Sequence, residues 1–162
     1  MGVLVDSNHS FADDQFRGAQ QAAQRLGIQV VRVNVSSDQE LEPAFATLAE
    51  QGAKALLGCA SLLFQDNRNR IVALAERYNM PGAYEDRGFV TAGGLMSYGN
   101  NLVDDYRELG HYAGLILKGA NAGELPVVRP TKFQLVINVR TAKKLGINIS
   151  DNFLTLADEV IE

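Results

Sequence analysis

Along the first two thirds of the chain, compact apolar runs alternate with stretches whose apolar residues recur at helical spacing, and the connections between them are short. Runs of the first kind predict buried strands and stretches of the second predict amphipathic helices. GVLVDS (2–7) opens the series as a strand, and Phe16, Ala19, Ala23 and Leu26 then share one helical face before Gly27 stops the helix. QVVRVNV (29–35), rich in β-branched residues, predicts a second strand. Leu41, Ala44, Phe45 and Leu48 predict a second helix, with Pro43 tolerated in its first turns. Ser10 with Asp13, and Ser37 with Glu40, have capping-box spacing ahead of these two helices. AKALLGCAS (53–61) predicts a third strand, Ile71, Leu74, Ala75 and Tyr78 a third helix, and Met80 to Tyr84 a fourth strand.

GGLMSYG (93–99) predicts a fifth strand, and the helix after it is the most regular of all, with Leu102, Val103, Tyr106, Leu109, Ala113, Ile116 and Leu117 on its apolar face and Gly119 as its stop. The glycines and prolines of GANAGELPVVRPTK then predict a connection over the surface. FQLVIN (133–138) predicts another strand, and Val139 to Leu145 a short helix with Lys143 and Lys144 near its C-terminal end. The tail FLTLADEVIE closes the chain. Strands and helices alternating in this way predict an α/β fold, a doubly wound parallel sheet with helices on both faces.

Composition narrows the function. With 162 residues the chain is long enough for one such domain or one lobe of a larger protein, burying roughly 70% of its unfolded surface. A net charge of -4 and scattered Lys and Arg give no footprint for nucleic acid. Cys59 is the only cysteine, which excludes an intrachain disulfide and a cysteine-based metal site, and in ALLGCAS it reads as a buried, inert thiol. No apolar stretch approaches the roughly 20 residues needed to cross a bilayer, and the opening MGVLVDS reads as a strand and not a signal peptide, so a soluble chain is expected.

An open parallel sheet binds small molecules at the carboxyl ends of its strands. That rule selects the loops DSNHSF (6–11), CASLLF (59–64), YEDRGF (84–89) and SYGNN (97–101), and within them the ligand-binding candidates Asn8, Ser10, Phe11, Ser61, Leu62, Tyr84, Glu85, Tyr98 and Asn100. Tyr84 and Tyr98 combine a stacking ring with a polar tip. Glu85 offers a carboxylate to a ligand amine, or with Asp86 and Arg87 forms a solvated turn. Ser10, Ser61 and Asn101 serve equally as helix caps, and Asn8 as an Asx turn. Phe11 and Phe64 suit a core as well as a ligand wall. No phosphate-binding GxxxxGK[ST] or GxGxxG motif is present, and a Cys59–His9 hydrolase lacks a third, orienting residue. No catalytic residue, metal site or cofactor is expected.

The run from RNRIVALAERYNMPGAYEDRGF to the end of the chain resembles the C-terminal half of ABC-transporter substrate-binding proteins, and within them the bacterial group that includes tryptophan/tyrosine-type binders. GGLMSYG, ILKGA leading to LPV, PTKFQLVIN followed by TAKKLG, and the closing ADEVIE carry the resemblance. An IPP-like segment of the family is replaced here by Ile149-Ser150-Asp151. The resemblance implies one lobe of a type I periplasmic-binding-protein-like fold spanning 1–162, beginning at VLVDSNHS with the second lobe, and with 119–162 as a hinge and cross-lobe segment. It implies non-catalytic capture of a small metabolite, an amino acid for instance, between two lobes for an ABC import system. The implied partners are that ligand and a membrane permease, and the implied place is periplasmic or membrane-anchored outside the cytoplasm. A lobe without its companion would expose apolar surface and form a homodimer. The alternatives are the small-molecule-sensing domain of a transcriptional regulator and, further off, a Cys59-dependent hydrolase.

Overall fold

The computed structural model describes residues 1–162, and its strands form one seven-stranded sheet. In chain order the elements are β1 (Gly2–Asp6), α1 (Ala12–Arg25), β2 (Val31–Val35), α2 (Leu41–Glu50), β3 (Leu56–Gly58), α3 (Leu62–Asp66), α4 (Arg68–Arg77), β4 (Gly82–Tyr84), α5 (Arg87–Thr91), β5 (Met96–Asn100), α6 (Leu102–Leu117), β6 (Phe133–Asn138), α7 (Val139–Lys144), α8 (Asp151–Leu154) and β7 (Glu159–Ile161). The spatial order is β2-β1-β3-β4-β5-β6-β7. The first five strands in chain order are mutually parallel, β6 runs antiparallel to β5, and β7 is parallel to β6. The sheet is mostly parallel with helices on both faces, as the alternation predicts, and its last two strands, β6 and β7, run against the other five. The chain leaves the tip of β5 through α6 and re-enters at the same edge, so the returning strand must run the other way.

β1 is buried along its whole length, as a central strand covered on both faces must be. Its side chains alternate between two clusters. Leu4 joins the larger one, with Phe45, Leu48, Leu56, Ile71, Met80 and Phe89 under α2, α4 and α5. Val3 and Val5 join a smaller one with Ala12 and Cys59 under α1.

Two expected capping boxes do not form. α1 starts at Ala12 behind Phe11 with no side-chain cap, and Ser10 is exposed. The Glu40 carboxylate turns instead to the Ser36 backbone N–H (2.7 Å) and hydroxyl. Ser61, Asp86, Asn101, Asn138 and Ser150 do accept backbone N–H groups at helix starts. The strands β3 and β4 are shorter than their apolar runs, because the residues beyond them bend into the loops at each edge.

The regular helix α6 is where its periodicity places it, yet none of its residues is buried. Most of its apolar side chains face solvent, and two side chains tie it to the following segment: the Tyr112 hydroxyl donates to the Pro126 carbonyl at 2.6 Å, and an Asp104 oxygen lies 3.7 Å from Lys132 Nζ. Residues 133–161 rejoin the sheet, and a bidentate Arg87–Glu159 pair (2.7 and 2.5 Å) fastens β7 to the start of α5. Residues 101–132 carry α6 and no strand, and the chain returns to the sheet at β6.

Candidate functional site

β1, β3, β4 and β5 end at one edge of the sheet, and the loops that leave it are held by polar side chains buried beneath them. Asp6, the last residue of β1, accepts the Asn8 backbone N–H (2.9 Å) and the Ser61 hydroxyl (2.6 Å), joining the loops after β1 and β3. Gln15 of α1 joins them again. Its Nε2 donates to the Ala60 carbonyl (3.2 Å) and its Oε1 accepts the Ala60 N–H (2.7 Å), the pairing a neighbouring strand would otherwise supply. The Nε2 also lies 3.1 Å from Nδ1 of His9, which accepts the Phe11 N–H (3.2 Å).

Glu85 follows β4 directly. One carboxylate oxygen is 3.5 Å from Gln65 Nε2, and the other, Oε2, is buried without a partner. Burial raises its pKa above the ordinary carboxylate range, and the nearby Asp86 adds to the rise. A buried polar group left unpaired costs roughly 1–3 kcal/mol, and more when charged. The β4–β5 register continues past Tyr84 and Ser97, so Glu85 stands beside the Tyr98-Gly99 pair. A Cβ on Gly99 would collide with the Glu85 carbonyl oxygen, and only glycine lets the two strand tips meet so closely.

Tyr98 is 62% exposed and Phe133, across the antiparallel ladder, 51%. Their rings stack, with centroids 5.6 Å apart and planes inclined by 18°. Two aromatic faces are thus presented to solvent at the same edge as the unpaired carboxylate oxygen.

The other predicted residues divide. Asn8 is exposed and makes no Asx turn of its own: Asp6 forms that turn, and the Asn8 amide donates to the Ser36 carbonyl at 2.9 Å. Ser10 and Phe11 are exposed on the loop after β1, and Leu62 and Asn100 are exposed at the same edge. Ser61 is buried as the α3 cap and Asp6 partner. Phe64 lies in the core. Tyr84 departs most from expectation. Its ring is 3% exposed and stacks on Phe89 at 4.4 Å, so it offers no face to a ligand at the strand tips. It fits inward because Gly58, Gly82 and Gly94 leave room where any side chain would crowd it. Cys59 is buried, and desolvation pushes its thiol up to about 11, so it carries no nucleophilic thiolate at neutral pH.

Asp6, Gln15, Gly99 and Phe133 were not singled out in the sequence. An acid ending a fully apolar strand was a usable signal for Asp6. Gln15 and Phe133 carry no local signal, since their partners lie 45 residues away and across the ladder respectively.

In this mostly parallel α/β sheet β6 and β7 both run against the first five strands, and the open strand-tip edge carries exposed aromatic rings and a buried carboxylate. The chain belongs to the ABC transporter substrate binding protein family, whose profile matches residues 1–161. A tyrosine-binding protein of Clostridioides difficile (strain R20291) is 24% identical over 158 residues, which are 91% of this chain and 42% of that protein. A solved structure described as an ABC domain in complex with L-Trp from Streptococcus pneumonia has a TM-score of 0.90 at 24% identity, over 99% of this chain and 54% of its own. A conserved domain protein of Vibrio cholerae O1 biovar eltor has a TM-score of 0.89 at 21% identity, over 98% and 53%. These structures show a shared fold. The chain spans about half the length of the relatives it matches.

Proposed function

We propose that this chain is the second lobe of a two-lobed solute receptor, and that its strand-tip edge is half of a clamp for an aromatic amino acid. Two observations at the strand-tip edge carry the reading: the unpaired Oε2 of Glu85, whose backbone adjoins Gly99, and the exposed Tyr98–Phe133 pair. A ligand ammonium would supply the missing partner of the carboxylate, and its ring would extend the aromatic stack. Asn8, Ser10, Phe11, Leu62 and Asn100 are exposed on the same edge, free to meet a ligand or the facing lobe. The tyrosine-binding relative and the L-Trp complex support this class of ligand.

The relatives' double length and the bare apolar face of α6 support a companion lobe. In this reading residues 101–132 cross to that lobe, β5 and β6 form part of the hinge, and closure presents the loaded receptor to a membrane permease outside the cytoplasm. Binding is non-catalytic and needs no cofactor, and Cys59 takes no chemical part.

Calorimetric titration of the two-lobed protein with L-tryptophan and L-tyrosine tests the proposal. Tyr98→Ala is expected to weaken binding by about 1–3 kcal/mol, the usual loss for an aromatic contact in a desolvated pocket. An analogue lacking the amine should bind more weakly to the native protein and equally to Glu85→Gln. Undiminished affinity in both variants would remove this edge from the site.

A further inference from the structure

The opposite edge of the sheet carries a cavity of about 400 Å³, where β4 and β5 begin, β6 ends, and α4, α5 and α7 come together. Its size falls within the range of small-molecule sites. Its wall includes the apolar Val72, Ala75, Met80 and Leu95. Both cationic side chains at its rim are engaged: Lys144 Nζ is 3.4 Å from a Glu76 oxygen, and an Arg140 N–H donates to the Glu162 carbonyl at 2.8 Å. An anionic ligand would have to break those pairs.

One polar group of the wall has no partner. Tyr84 begins at the front tip of β4, but its ring runs back along the strand, so that a Cβ on Gly82 would collide with its hydroxyl. Gly82 and Gly94, which line the cavity, lie against this ring with no side chain between. Buried hydroxyls in folded proteins are almost always hydrogen-bonded, and this one is not. Burial also pushes the phenol pKa upward, so the group keeps its proton and acts as a donor.

We propose that this back-edge cavity is a second binding site, taking a small uncharged ring compound whose single carbonyl or hydroxyl oxygen accepts a hydrogen bond from Tyr84. Ring and apolar wall supply the burial, and the oxygen supplies the partner that the hydroxyl lacks. The hydroxyl is sealed from solvent in the free chain and lies against Gly82, so seating the oxygen requires the backbone at Gly82, which also lines the cavity, to yield slightly. The site is separate from the front edge and independent of what binds there.

Phenol and cyclohexanone are suitable probes, with toluene as a control of similar shape lacking the oxygen. In backbone amide NMR titrations of the whole chain, phenol and cyclohexanone should shift Gly82, Gly93, Gly94 and Thr141 saturably, and toluene should bind about tenfold more weakly, the worth of one buried hydrogen bond. Tyr84→Phe keeps the ring and should reduce phenol to the toluene level. Ala92→Leu, placed to fill the cavity, should abolish all three responses. Equal phenol affinity in Tyr84→Phe overturns the proposal, as do shifts confined to residues 6–11 and 98–101. A crystal soaked with phenol that shows only an ordered water on the Tyr84 hydroxyl overturns it as well. Thermal melting of both variants confirms that a lost response is not lost folding.

Discussion

Glu85 combines a stability cost with a binding opportunity. Because burial raises its pKa in the folded chain, the folded state keeps the proton over a pH range in which the unfolded chain has lost it. Its contribution is therefore most favourable below the unfolded pKa, and stability declines as pH rises through the raised folded value. Glu85→Gln removes this dependence. The variant should melt at a higher temperature than the native chain at pH 7, with the gap closing as the pH is lowered below the carboxylate range. Melting curves across that range check it, and a constant gap would contradict it. Capture of an ammonium needs the ionised carboxylate, so ligand affinity should fall with decreasing pH over the same range. Asp6, by contrast, has both oxygens engaged and serves the scaffold.

Among the elements, the meeting of β4 and β5 is the most demanding. Gly99 touches the Glu85 backbone so closely that a methyl group has no space. Gly99→Ala should destabilise the chain by about 1–3 kcal/mol through overpacking, read as a lower denaturation midpoint with an unchanged slope. It should also disturb Glu85 and Tyr98 together. Gly99 ends the predicted strand GGLMSYG, but nothing local in the sequence gives the reason for a glycine there, because the colliding atom belongs to the residue after another strand. The capping residues show the same division. Asn101 and Ser61 cap as their positions suggest, while Ser10 and Ser37, at equally good spacing, do not. Spacing permits a cap, and the path of the loop decides whether the side chain can turn back.

At the scale of the whole molecule, α6 is a helix without a core. Val103, Tyr106, Leu109 and Leu117 are all exposed, more than an isolated soluble helix can carry without a partner. Pairing of this face between copies is the expected consequence whenever no companion lobe covers it. Sedimentation of the chain should show a concentration-dependent dimer, and Leu109→Glu with Tyr106→Glu should return it to monomer with an unchanged circular dichroism spectrum and a melting temperature that no longer depends on concentration. A monomer at high concentration would show that the segment folds back on itself.

The sequence by itself determined the alternation of strands and helices, the apolar faces, and the residues that stand at the strand tips. Each of these depends on neighbours within a few positions. Tertiary structure alone decided the reversed direction of β6 and β7, the inward turn of Tyr84 and the stranded oxygen of Glu85. Those outcomes depend on atoms distant along the chain: three glycines on separate segments make room for one ring, and Gln65, twenty residues before Glu85, meets one carboxylate oxygen and leaves the other without a partner. Periodicity says that a side chain is apolar enough to be buried, but the shape of the space left by other elements says where it goes.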